Sequence, residues 1–121
     1  MSVQFYRDLL VWQKAMDLCV DIHAAALDFP KQEQFGLTSQ INRAVVSIPS
    51  NIVEGHGRRT TADYLHFLSI ARGSLNEVET QLTLAMRYNY LPPSDHDTLL
   101  EQCFEVGRML NGLMDALERR L

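Results

Sequence analysis

A chain of 121 residues with 46% hydrophobic and 21% charged side chains has enough apolar surface for one ordinary core, which excludes a disordered chain and leaves no room for a second domain. Its formal charge of −4 argues against a nucleic-acid binder of the usual basic kind, although residues 30–59 carry four Lys and Arg against two Asp and Glu. No apolar run approaches the roughly 18 residues of a membrane span, and "MSVQFYRDLL" lacks the basic start and small-residue cleavage site of a signal peptide, so a cytoplasmic protein without a membrane partner is expected.

Four helical patterns fill the chain, and no stretch alternates with period two for long enough to make a strand. The first is expected over residues 6–29, beyond an arm of about five residues, with Leu9, Trp12, Met16, Cys19, His23 and Leu27 as its apolar seam. Phe29 precedes Pro30 and ends it, because the residue before proline avoids the helical region. The second, over 37–55, spaces Leu37, Ile41, Val45, Ile48 and Ile52 by fours and threes, and Gly55 and Gly57 are expected to close it as left-handed caps. The third, over 61–89, opens with Thr60 and Asp63 in the arrangement of a capping box and carries Leu68, Ala71, Leu75, Val78, Leu82 and Ala85. Gly73 in its middle is expected to serve a close helix approach. Pro92 and Pro93 end that pattern; Ser94 and Asp97 repeat the capping signature, and the fourth helix, over 95–120, presents Leu100, Cys103, Gly107, Leu110, Met114 and Leu117. Short connections force consecutive helices to be antiparallel, so the expected fold is all-α, an up-down-up-down four-helix bundle in a single domain.

The second helix is unusual in two ways. Pro49 stands inside it, where proline costs about 3 kcal/mol by removing an N–H and crowding the carbonyl four residues back. That carbonyl, of Val45, is expected to be satisfied by Ser47, Ser50 or water. On a helical wheel Gln40, Arg43, Ser47, Ser50, Asn51, Glu54 and Arg58 share one arc of roughly 100°. Val46, Pro49 and Val53 form a second apolar face beside the core seam, which points to contact with another subunit. Ser47, Pro49, Ser50, Asn51 and Glu54 are therefore candidates for an interface or polar network, and Arg43, Arg58 and Arg59 for contacts to nucleic acid or a partner, held by Asn51 and Glu54.

Catalytic chemistry finds little footing, and no cofactor is implied. Glu54 and His56 flank Gly55 without a nucleophile or a phosphate-cradling loop beside them. Asp63 and His66 have a metal-ligand spacing, but a di-metal bundle needs two such pairs and further carboxylates, so no metal site is expected. His23 reads as a core histidine, His96 as a solvated one, and Cys19 and Cys103 as thiols that pack like small hydrophobes.

"LLVWQKAMDL", "FGLTSQINRAVVSIPSNIVEGHGRR", "FLSIARGSLNEVETQL" and "YNYL" together resemble the bacterial four-helix-bundle proteins encoded in intervening sequences of 23S ribosomal RNA genes. The pattern of that family falls on Arg43, Ser47, Pro49, Ser50, Asn51, Glu54, Gly55 and Arg58, and on Gly73, Ser74, Leu75, Glu77 and Gln81. More distantly, the chain is similar to the accessory variability proteins of diversity-generating retroelements. The resemblance implies a closed homo-oligomer, a pentamer, whose partner would be structured RNA or another protein.

Overall fold

The structure is a computed structural model and describes residues 5–121; the arm expected at the start of the chain lies almost wholly outside the described residues. Four helices form, α1 (Leu10–Ala26), α2 (Leu37–His56), α3 (Thr61–Arg87) and α4 (Pro93–Glu118), with single 3-10 turns at Tyr6–Asp8 and Lys31–Glu33. Each helix packs against two neighbours in the cyclic order α1, α2, α3, α4, which is the antiparallel bundle that the short connections require.

The seams of α2 and α3 fall where the spacing places them: Leu37, Ile41, Val45, Ile48 and Ile52 are buried, as are Leu68, Ala71, Leu75, Val78, Leu82 and Ala85. Helix α1 is rotated relative to expectation. Val11, Ala15, Leu18, Ile22 and Ala26 face the core, whereas Met16 is exposed, Leu27 is 72% exposed and His23 is a solvated side chain, not a core one. The cause is an apolar surface on more than one side of α1, which makes two helical seams equally periodic. The helix also begins later than residue 6, because Leu9 is extended (φ −73°, ψ 120°) and separates it from the 3-10 turn. Helix α4 buries Cys103, Leu110, Met114 and Leu117 as expected, but in its first half His96, Leu99 and Val106 are buried in place of Leu100 and Gly107.

The helix ends show how the backbone is satisfied. Thr60 accepts the Asp63 N–H at 3.1 Å through its hydroxyl, as the capping signature indicates. At the far end of α3, Asn89 takes a left-handed conformation (φ 64°), with Tyr90 N–H bonded to Ala85 and Asn89 N–H to Met86, the pattern of a Schellman cap. Ser94 is no cap: α4 begins at Pro93, and Ser94 lies inside its first turn, where proline at the first helical position pre-sets the dihedral. Glu33 replaces a side-chain cap for α2, since one of its carboxylate oxygens accepts the Leu37 N–H at 3.1 Å and the other accepts the Tyr90 hydroxyl at 2.9 Å. His96, expected to be solvated, is 6% exposed, with Nε2 3.1 Å from the Thr83 hydroxyl and Nδ1 3.0 Å from Asp97 Oδ1. It fastens the start of α4 to α3.

The glycines also act differently from expectation. Gly55 is within α2 and Gly57 ends it in a right-handed conformation, so neither is a left-handed cap. Gly55 is instead a point of close approach: a Cβ there would sit 2.9 Å from Phe67 Cβ, 2.9 Å from Tyr64 Cδ1 and 3.1 Å from the Tyr64 carbonyl. Gly73, by contrast, faces open space. Gly55→Ala is thus expected to lower stability by about 1–3 kcal/mol through overpacking, and Gly73→Ala to raise it by up to about 1 kcal/mol through helix propensity. Denaturant unfolding of the two variants checks both signs.

Candidate functional site

Proline 49 explains how α2 is joined to α1. Its missing N–H leaves the Val45 carbonyl without a helical donor, and the Cys19 thiol of α1 supplies one, with Sγ 3.2 Å from that oxygen. The donor is therefore neither Ser47 nor Ser50, because those side chains lie on the arc facing away from α1. Burial pushes the Cys19 thiol up to about 11, so it keeps its proton at neutral pH and can donate. Cys103 is buried and likewise pushed up, to about 12, by burial with a smaller contribution from Glu79. Pro49 itself is buried within the single chain, which corrects its assignment to a face left for another subunit; Val53 is half-buried, and Val46, at 53% exposure, is the member of that face most open to solvent.

The polar arc of α2 packs along α3 and divides into three parts. In the middle, Asn51 Nδ2 donates to the Ser47 carbonyl at 2.8 Å and to Ser47 Oγ at 2.9 Å, and Ser47 Oγ lies 2.9 Å from Ser74 Oγ. Ser74 is buried, so this chain of hydrogen bonds is what lets a serine pair lie between two helices. Toward the start of α2, Arg43 lines a cleft of about 380 Å³ with Ser47, Ser74, Glu77 and Gln81, where the buried Gln81 Oε1 has no hydrogen-bond partner among the described residues. Toward its end, Glu54 accepts from Arg58 at 3.3 Å, and the Arg58 guanidinium stands 4.5 Å above the Phe67 ring. Asn51 thus holds Ser47 rather than an arginine, because a side chain one turn back is within its reach and Arg43 is two turns away; Glu54 holds Arg58 as expected. Ser50 is exposed and takes no part in these contacts.

Past the end of α2 the chain turns sharply into α3, and this turn builds a second cleft of about 290 Å³. Arg58 and Arg59 from the turn and Arg120 from beyond the end of α4 line it, with His56 and the first residues of α3. His56 Nδ1 lies 3.3 Å from the Tyr64 hydroxyl, and burial raises the Tyr64 pKa, so that hydroxyl is protonated and available as a donor. Leu9, Leu113 and Leu117 close the cleft on the side of the bundle core. Among the described residues no carboxylate lines it. Arg120 is absent from any reading of the second helix, since it lies 61 positions after Arg59 in the chain and only the antiparallel packing of α4 returns it to this end. Glu54 and His56 do not form a pair: one is engaged by Arg58 and the other by Tyr64. Asp63 and His66 are both exposed, and among the described residues no group of three metal-ligating side chains is placed to hold an ion.

Comparison with known proteins bears on the family and the fold. A family model described as 23S rRNA-intervening sequence protein matches residues 7–112. The fold is similar to the crystal structure of a protein of unknown function from the S23 ribosomal protein family of Bacteroides thetaiotaomicron, with a TM-score of 0.81 and 25% sequence identity, over 88% of this chain and 96% of that one. No curated protein matches the chain.

The thiol bond to Val45 can be weighed with a double-mutant cycle. Cys19→Ala is expected to cost about 1 kcal/mol in the native background and much less alongside Pro49→Ala, whose restored N–H would take over the Val45 carbonyl. Equal costs in both backgrounds, measured by denaturant unfolding, would assign the loss to packing instead.

Proposed function

The chain belongs to the 23S rRNA-intervening sequence protein family, and from that premise we propose that it acts in the cytoplasm as a non-enzymatic, homo-oligomeric helical bundle that associates with structured RNA as an adaptor. The observation that carries this reading is the cationic cleft at the α2–α3 turn. Three guanidinium groups from two distant parts of an otherwise acidic chain converge there. A single such cleft would hold a phosphate backbone weakly. Repeated by the symmetry of a closed oligomer, a pentamer in this proposal, it becomes a polyvalent surface whose weak contacts reinforce one another. Arg43 adds a second cationic position on α2, roughly 20 Å by helical rise before the end of that helix at His56, which suits a strand laid along the bundle. The negative charge elsewhere would disfavour indiscriminate binding and leave the arginines as the points of attachment.

A purely structural scaffold for a protein partner is the second reading, and a specific observation favours it. Val20 and Val46, 67% and 53% exposed, flank the α1–α2 seam on which the Cys19–Val45 bond lies, and exposed apolar groups on one flank suit contact with another chain.

Retention of structured RNA on a filter across a salt series, with the mass of the same sample determined by light scattering, tests the first reading. Binding by a multimer that weakens steeply as salt rises is expected, and Arg58→Glu with Arg59→Glu should abolish it while leaving the mass unchanged. Retention that survives the double substitution would overturn the adaptor reading. For the scaffold, the relevant variant is Val46→Glu, which puts a charge on the exposed α1–α2 flank and should dissociate the oligomer while the circular dichroism stays native; an intact, equally stable assembly would count against that flank as the interface.

A further inference from the structure

The cleft at the α2–α3 turn has a shape and a donor set that distinguish between kinds of phosphate. It is bounded on the core side by Leu9, Leu113 and Leu117 and holds about 290 Å³, at the small end of the range for ligand pockets (roughly 300–1,000 Å³). A cleft of that size with one apolar side has room for a single nucleotide unit rather than a length of strand.

The donors point the same way. Arg58 is paired with Glu54 and lies over the Phe67 ring, two contacts that orient its guanidinium. Arg59 and Arg120 are exposed and free of such bonding to a carboxylate among the described contacts. Thr61, also on the lining, is the first residue of a 27-residue helix, where the leading N–H groups have no intrahelical acceptors and the helix end carries partial positive charge. The Thr60 hydroxyl already receives the Asp63 N–H, so the cap is occupied without closing the cleft. An internal phosphodiester offers two unsubstituted oxygens and one negative charge. A phosphate monoester offers three oxygens and close to two charges near neutral pH, which matches a set of three guanidiniums far better. The aromatic ring of Tyr64 and the leucine wall then provide an apolar surface for a sugar or base attached to it.

We infer that this cleft is a receptor for a terminal phosphate monoester of a nucleotide, carried at the end of an RNA strand or on a free mononucleotide. The strand as the source rests on the RNA-associated function proposed above; the pocket chemistry does not.

The test uses the full chain and one short single-stranded RNA in three forms, 5′-phosphorylated, 3′-phosphorylated and unphosphorylated, with adenosine monophosphate as the free source, all measured by fluorescence anisotropy or competition. At least one phosphorylated strand should bind about tenfold or more tightly than the unphosphorylated one, the effect of one or two charge-assisted hydrogen bonds. Arg120→Gln, on an exposed side chain, should remove that preference while the circular dichroism stays native. Binding of adenosine monophosphate in the absence of strand binding would support the pocket, assign it to free nucleotides, and overturn the RNA reading alone. Equal affinity for all three strands without mononucleotide binding would overturn the end receptor and leave the RNA reading standing. A preference unaltered by Arg120→Gln would also overturn the end receptor, and absence of binding by every probe would overturn both.

Discussion

Helix α2 crosses α3 at Gly55 so closely that no side chain has room there. The α2–α3 side of that end of the bundle follows from this contact. With the two backbones held together, the chain between His56 and Thr61 has only a tight turn in which to reverse, and Arg58 and Arg59 stand at its tip rather than along a helix face. The same proximity brings His56 onto Tyr64 and lays Arg58 over Phe67. A larger residue at position 55 would separate the helices and disperse the arginines, so a packing constraint sets the electrostatics of the cleft.

On its other side α2 is fastened by a different device. A proline inside a helix leaves one carbonyl unpaired, and a buried unpaired carbonyl is costly. Here the neighbouring helix fills the vacancy with a thiol that burial keeps protonated. The interruption in α2 therefore becomes a tertiary bond, and the helix is registered against α1 at Val45 and against α3 at Ser47 and Gly55.

The two ends of the bundle differ in charge logic. At one, Glu33 spans the start of α2 and the Tyr90 hydroxyl, using a carboxylate where backbone N–H groups are exposed. At the other, arginines from the α2–α3 turn and from beyond α4 gather without a lining carboxylate. A net charge of −4 averages over this asymmetry and hides it. The functional reading depends on the local arrangement, since a ligand encounters the cleft and not the average.

Read alone, the chain settles how many helices there are, where α2 and α3 turn their apolar seams, and that α2 bears a polar arc, because these follow from periodicity and from residues adjacent in sequence. It leaves the rotation of α1 undecided, since its apolar surface is too wide to single out one seam, and so places His23 inside and misassigns Leu27. Nor does it reveal the partners of Val45, Gly55, His96 or Arg120. Those partners are Cys19, Tyr64 with Phe67, Thr83 and the α2–α3 turn, each on a different helix or at a remote end of the chain. Contacts of that kind carry no local signature, because their residues are ordinary in their own segments and acquire a role only when antiparallel packing brings distant segments together.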